Sequence, residues 1–351
     1  MREKTEPFFG SMDEREYRER QRKGSIGGSA LSTIYHKSAA HYMEQRGKAP
    51  SAAMLFGTAV HTMILEPREW RQRYFTGRAV QRLTFEEPIK TDHGWDLGDG
   101  SPPFKTKKGA LAAIGADRPW TITGCKGSWR TKKEADAALE ELAEGRQILT
   151  IEDELKLAEV VQAIWSHPIA GAMLQPEEHN EIGYFKAEDA LLWFDEIEHA
   201  ECSGKIDGVL APETDWRCHG LTLRCDEVIG IDLKTTGKPV APHGFARRCI
   251  ESGWHMQAAH YIAGAAASGM KIDRWINIVV ETGRPNGVRV VELSKDMLRL
   301  GQVHRAKALD KWRQYQERKP GDGAYDPDAL LIEPPAWAMQ DLDDWSSWGG
   351  E

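Results

Sequence analysis

The chain has 351 residues, 46 Lys and Arg against 54 Asp and Glu, a formal net charge of −8, and is 40% hydrophobic and 28% charged. That length accommodates a full core, and the composition excludes an intrinsically disordered chain and, with no apolar run near the ~18 residues of a span, a membrane-spanning helix. Five cysteines without a Cys-x-x-Cys pair argue against a secreted disulfide framework, and the charged residues 1–20 do not read as a signal peptide, so a cytoplasmic location is expected.

Residues 1–28 read as a charged arm, with a frayed helix over 12–24 stopped by Gly24, Gly27 and Gly28. Ser29 or Ser32 can cap a helix over 32–45. A second helix is expected over 51–65, where Ala53, Leu55, Phe56, Ala59, Val60, Met63 and Ile64 form an apolar face and Pro67 ends the run. Residues 76–130, rich in Gly, Pro and Trp, predict a loop-rich insertion. The strings Lys105-Thr-Lys-Lys108 and Arg130-Thr-Lys-Lys133 within it are similar but too short to establish a repeat. Helices return over 131–145 and 151–166, the second opened by a Thr150-x-x-Asp153 cap pattern.

The period then shortens. Strand-like runs at 181–187, 191–197, 201–210 and 227–234 are followed by a helix over 244–267. Strands at 274–281 and 287–293 and a helix over 294–318 complete the body. This order predicts an α/β fold with one central mixed sheet flanked by helices. No Gly-rich phosphate loop follows a strand, which disfavours a nucleotide-hydrolysing motor. After Lys319 there are eight acids and no Lys or Arg, with Trp337, Trp345 and Trp348 among them, so residues 319–351 read as an acidic tail. Residues 1–319 are then formally neutral, and net charge does not argue against a nucleic-acid partner.

The segment Val228-Ile-Gly-Ile-Asp232-Leu-Lys234-Thr-Thr236 is the most informative. On a strand Asp232 and Lys234 share one face and Leu233 takes the other. A carboxylate and an ammonium at a buried strand end are costly unless something binds there, and a divalent cation with a water or phosphate would satisfy both. Lys205-Ile-Asp207-Gly208 supplies a second hard oxygen donor, and Gly57-Thr-Ala-Val-His61 an imidazole on the helix over 51–65. Gln257 and Tyr261 are spaced to share a helix face.

The collinear order Gly57-x-x-x-His61, Lys205-x-Asp207, Asp232-x-Lys234-Thr-Thr, Gln257-x-x-x-Tyr261 resembles the PD-(D/E)XK nucleases, in particular the RecE/exonuclease VIII and RecB-type nuclease domains. Leu31-Ser-Thr-Ile-Tyr-His-Lys-Ser38 and the Leu-Glu66-Pro67 end of the first long helix add to the resemblance, which spans roughly residues 29–318. It implies a restriction-endonuclease-like core in which His61, Asp207 and Asp232 hold Mg²⁺ (or Mn²⁺) and Lys234 is the catalytic lysine. Gln257 and Tyr261 would be an accessory pair, and Glu181 an extra acid ahead of the sheet. It also implies a ring-shaped homo-oligomer that degrades double-stranded DNA from its ends, 5′ to 3′. The product strand would pass to a single-strand annealing protein in phage-type recombination. A RecB-type nuclease acting on single strands or flaps and a non-catalytic DNA-end-binding protein are the alternatives.

The 24 residues between Asp207 and Asp232 exceed the family's usual spacing, so residues 211–226 read as an inserted hairpin or loop, with Asp226 as the rival first acid. Cys202, Cys218, His219 and Cys225 have the spacing of neither a zinc ribbon nor an iron–sulfur site. Arg247, Arg248, Lys295, Arg299, Arg305, Lys307, Lys311 and Arg313 read as solvated surface, some within reach of phosphates.

Overall fold

The computed structural model describes residues 6–317, apart from 13, 23, 79, 84–86, 98–101, 114, 115, 117, 124 and 127; the expected acidic tail lies outside them. The chain opens with an edge strand, β1 (Phe8–Gly10), then α1 (Glu14–Arg22), α2 (Gly28–His36), α3 (Ala39–Gln45) and α4 (Ala52–Leu65). The helix expected over 32–45 is therefore two. Lys37 leaves helical geometry, and Ser38 restarts the chain by accepting a hydrogen bond from the His41 amide at 3.3 Å. α4 follows its sequence pattern, with Ser51 capping the Met54 amide and Phe56, Ala59, Val60 and Ile64 buried.

Residues 76–130 hold short elements among their loops, and the unit they belong to runs on to residue 148. After α5 (Trp70–Arg73) and β2 (Tyr74–Phe75) come β3 (Val80–Arg82), β4 (Ile89–Thr91), β5 (Gly94–Asp96), α6 (Lys107–Ala113), β6 (Trp120–Ile122), α7 (Lys132–Ala143) and β7 (Gln147–Ile148). β7 pairs in parallel with β2, closing the insertion at its base, while β3 pairs with β6 and β4 with β5. Ala135 and Leu139 of α7 and Ile122 of β6 are buried, and α7 packs against β6. Strands of two or three residues are too short for a period to register in sequence, which is why the region reads as loop.

The second half builds the sheet: α8 (Ile151–Ser166), α9 (Pro168–Met173), β8 (Gly183–Asp195), β9 (Ala200–Pro212), β10 (Trp216–Cys218), β11 (Leu221–Leu223), β12 (Ile229–Thr236), α10 (Phe245–Glu251), α11 (Trp254–Ala267), β13 (Arg274–Glu281), β14 (Val288–Glu292) and α12 (Lys295–Glu317). Its order is β1-β8-β9-β12-β13-β14, antiparallel except for the β12–β13 pair, whose parallel direction requires the crossover through α10 and α11. One face is covered by α4, α8 and α9 over Ile229, Ile231 and Leu233; the other by α2, α11 and α12 over Trp193, Trp275 and Ile206. The fold is thus the expected mixed α/β sheet between helical layers. β10 and β11 form a hairpin between β9 and β12.

Three details depart from the sequence reading. The runs at 181–187 and 191–197 are one 13-residue strand, β8, whose polar middle masks its continuity. The helix expected over 244–267 breaks at Gly253, which adopts φ 73°. Arg305 is not solvated surface: it is buried, donates to His260 Nδ1 at 3.1 Å and pairs with Asp195. That leaves it no phosphate to bind.

Gly301 lets α12 approach α11, because a Cβ there would lie 2.2 Å from the His255 carbonyl oxygen. Gly301→Ala gains about 1 kcal/mol of helix propensity but must push two packed backbones apart, at about 1–3 kcal/mol. We expect a lowered melting temperature; an unchanged or raised one would contradict this packing.

Candidate active site

The site forms where β9 and β12 part. Their ladder pairs Ile229 with Leu210, Gly230 with Val209 and Ile231 with Gly208, and ends there. At the next position the strands carry Asp207 and Asp232. The Leu233 amide donates to Asp207 Oδ2 at 2.7 Å, so a side-chain carboxylate takes the donor that a continued ladder would have used. β12 is an interior strand, which keeps Asp232 only 2% exposed.

On the face toward α11, Lys234 Nζ lies 2.5 Å from Asp232 Oδ2 and donates to Gln257 Oε1 at 2.7 Å. Gln257 Nε2 in turn donates to the Tyr261 hydroxyl at 2.8 Å. A lysine only donates, so the amide must present its oxygen to Lys234 and its NH₂ to Tyr261. The hydroxyl thereby fixes the orientation of the lysine's partner. Burial pushes the Tyr261 phenol well above its ordinary pKa, so it stays neutral.

From the opposite face α4 contributes His61. Gly57 allows the helix to seat against β12, since a Cβ there would stand 2.9 Å from Thr235 Oγ1. The His61 Nδ1 lies 2.8 Å from the Gly57 carbonyl, and Nε2 lies 2.7 Å from the Leu233 carbonyl and 3.2 Å from Asp207 Oδ2. Both ring nitrogens thus face backbone acceptors, the pattern of a doubly protonated imidazole. Loss of solvation, the largest single influence, opposes that charge, but the Asp207 carboxylate, the Gly57 carbonyl and Glu188 together outweigh it and raise the His61 pKa to about 9. Asp207 is held below the usual range: burial works against its ionisation, and His61 and Lys234 more than offset it.

Two further acids, Glu188 and Glu66, complete the cluster. Glu188 stands on β8 between Ala187 and Asp189, which pair with Gly208 and Ile206, so it sits across from Asp207. Its backbone is left-handed, φ 60°, strain that a glutamate accepts only where surroundings impose it. Lys205 Nζ lies 2.5 Å from Glu188 and 3.7 Å from Glu66, and Glu66 is bound by both terminal nitrogens of Arg73 at 2.6 and 2.9 Å. Burial first, and then Asp207, raise the Glu188 pKa to about 7 against the pull of Lys205. Asp232 is likewise raised to about 7, by burial and by Asp207, despite Lys234.

Of the residues expected from sequence, His61, Asp207, Asp232, Lys234, Gln257 and Tyr261 come together here. Glu181 does not: it is exposed in the turn before β8, and the acid beside Asp207 is Glu188. Asp226 is also exposed, in the turn before β12, away from the fork where Asp207 stands. Only the Glu188–Asp189 doublet amid a β-forming run signals the extra acid, and in sequence it reads as a strand break. The assembly, apart from the buried Asp232 and Tyr261, opens into a groove of about 970 Å³, lined also by Arg18, Arg73, Tyr74, Gln147, Lys156, Thr235 and Thr236.

Whether the donors suit a divalent cation can be judged from their chemistry. Asp207, Glu188, Asp232 and the Leu233 carbonyl are hard oxygen donors, and the buried Asp232 Oδ2 has the Lys234 ammonium beside it. Two carboxylates raised to about 7 in one buried cluster are short of positive charge. Among the described residues, however, no three His, Cys, Asp or Glu side chains are already arranged around an ion site. The donors are turned on one another. They fit Mg²⁺ or Mn²⁺ in kind, and binding would require His61 to turn away from the Leu233 oxygen.

No protein-family model and no curated protein matches the chain. Among solved structures it is similar to a candidate exonuclease from Eubacterium rectale, at TM-score 0.45 and 11% identity over 94% of this chain and 98% of that one. A second likeness is to Rai1 from Scheffersomyces stipitis, at TM-score 0.22 and 11% identity over 89% of this chain and 75% of that one. Likenesses this distant carry no function across. No described helix is long and apolar enough to cross a membrane.

Proposed function

We propose that the protein is a divalent-cation-dependent deoxyribonuclease of the PD-(D/E)XK type that hydrolyses double-stranded DNA from its ends. The observation that carries this reading is the fork itself: Asp207, Asp232 and Glu188 gathered at the end of a broken ladder, with the Lys234 ammonium held beside Asp232 by Gln257.

In this reading Asp207, Asp232, Glu188 and the Leu233 carbonyl hold Mg²⁺ or Mn²⁺, with His61 as a further donor once deprotonated. The cation, when bound, neutralises a non-bridging phosphate oxygen and acidifies a water. Lys234 directs its one remaining N–H to the attacking water or a phosphate oxygen, where its charge meets the charge that develops on phosphorus-bound oxygen. Gln257 and Tyr261 keep that ammonium aimed, and Lys205 and Arg73 hold Glu188 and Glu66 against mutual repulsion. The 5′-to-3′ direction, the ring-shaped homo-oligomer and the annealing partner in phage-type recombination belong to the proposal through the family resemblance of the motifs alone.

The test is digestion of linear duplex, circular duplex and single-stranded DNA, labelled at either end, with Mg²⁺. We expect loss of linear duplex only, beginning at the 5′ end. Loss confined to single strands would favour the RecB-type alternative, and binding without loss would refute catalysis.

A further inference from the structure

The insertion contains a duplication that its sequence only hints at. At a spacing of 25 residues, Trp95 matches Trp120, Thr106 matches Thr131, Lys107 and Lys108 match Lys132 and Lys133, and Ala110 matches Ala135; Phe104 and Lys105 answer to Trp129 and Arg130. The structure gives both copies the same construction. Trp95 and Phe104 exchange backbone hydrogen bonds at 2.8 Å each, and Trp120 and Trp129 do so at 2.7 and 3.1 Å. Thr106 accepts from the Gly109 amide at 3.1 Å, and Thr131 accepts from the Glu134 amide at 3.2 Å, so each string opens a helix. Ala110 and Ala135, at the same place in each helix, are both 0% exposed.

What is duplicated on the outside is charge. Residues 104–133 hold eight Lys and Arg and a single acid, in a chain whose net charge is −8. Lys105, Lys108, Lys126, Arg130, Lys132 and Lys133 are exposed, and none forms an ion pair with a described residue; Lys107, by contrast, is drawn in by Glu87 and lies over the Trp95 ring. The backbone bridges and the buried alanines thus hold each unit together, and these lysines are left to solvent. The base of the insertion is the β2–β7 pair, whose Tyr74 and Gln147 line the groove, so the charged units spring from its rim.

We propose that this duplicated surface is a second nucleic-acid site, which grips the phosphate backbone of duplex DNA without reading sequence. Flexible ammonium groups are point-charge partners for phosphates. Trp95, Trp120 and Trp129 are only partly exposed and engaged in the internal bridges, so they offer no stacking platform of the sort that selects single strands. The duplex has the denser charge and gains most from such a surface. The site goes beyond cleavage in the groove and does not depend on it.

The test uses the full chain with Lys105, Lys108, Lys132 and Lys133 all changed to Gln. Binding to duplex DNA is followed in EDTA across a salt series. Each phosphate left without its lysine lowers the slope of log affinity against log salt by about 0.9, so the slope should fall by up to ~3–4 in the quadruple variant. The same four positions changed to Arg should retain the slope, which separates charge from disturbed folding. An unchanged slope in the Gln variant overturns the proposal, as does a change seen only with single-stranded DNA. Hydrolysis of bis-p-nitrophenyl phosphate with Mg²⁺, which needs no backbone grip, should be equal in both variants and the native chain. A reduced slope with no hydrolysis by any of the proteins supports the surface while refuting the nuclease. Hydrolysis with an intact slope does the reverse.

Discussion

Asp232→Asn should lower Mg²⁺-dependent DNA degradation by on the order of 10³-fold while leaving the protein at least as stable above pH 7 without metal. The two effects share one cause. Asp232 is 2% exposed, faces Asp207 across the opened fork, and has a pKa pushed up to about 7. Its negative charge is therefore a burden on the folded chain, tolerated for what it can hold. Asn keeps the shape and removes the charge. Lys234→Ala should abolish activity to a similar degree, but for a different reason, since it removes the ammonium that Gln257 and Tyr261 hold in place. End-labelled duplex digestion and thermal melting measure both. Retained cleavage by either variant would remove the assignment, and a collapse in the melting temperature of Asp232→Asn would show the carboxylate to be structural.

Without metal, the melting temperature should fall by several degrees between pH 5 and pH 9, and Mg²⁺ or Mn²⁺ should recover most of the loss. A group that binds its proton more tightly in the folded chain contributes stability below its unfolded pKa, and that stability is lost as pH rises through the folded value. Asp232 moves from 3.8 to about 7, Glu188 from 4.5 to about 7, and His61 from 6.5 to about 9. All three shifts have the same sign, and from pH 5 upward the losses follow one another, those of Asp232 and Glu188 up to about 7 and that of His61 between 6.5 and about 9. Asp207, depressed by His61 and Lys234 against its burial, contributes in the opposite sense, but its gain is complete above 3.8 and does not slope between pH 5 and 9. A cation takes the place of protons on the same oxygens, so its stabilisation should be larger at pH 9 than at pH 5. A flat profile, or equal stabilisation by the cation at both pH values, would contradict the proposed ligand set.

Much of the site is legible because its motifs are local. Asp232-x-Lys234 reads directly as one face of a strand, and Gln257 and Tyr261 as one face of a helix, since period 2 and period 3.6 are properties of the backbone alone. His61 falls on α4 for the same reason, and Gly57 four residues before it proves to be the point where that helix meets Thr235. What the sequence hides is anything that depends on a partner strand. Glu181 stands out over Glu188 there because the meaning of Glu188 lies in its register against Asp207, and the polar run around it looks like the end of a strand. Arg305 looks like one more exposed base on a charged helix until the fold brings Asp195 and His260 to it from the sheet and α11.

The insertion shows the same division. Its two Lys-Lys strings are visible, yet so few similar residues in a segment without period give no ground for a repeat. The backbone bridges between Trp95 and Phe104 and between Trp120 and Trp129 supply that ground, by placing equivalent residues in equivalent structures. Composition, strand and helix periods, caps and the order of the chemical motifs were determined by the sequence by itself, because each depends on neighbours along the chain. Which carboxylates meet, which bases are buried and where the ladder breaks were decided only by tertiary structure. These depend on the register of β8, β9 and β12 and on helices closing over both faces of the sheet, which join residues as far apart as His61 and Leu233, 172 positions along the chain.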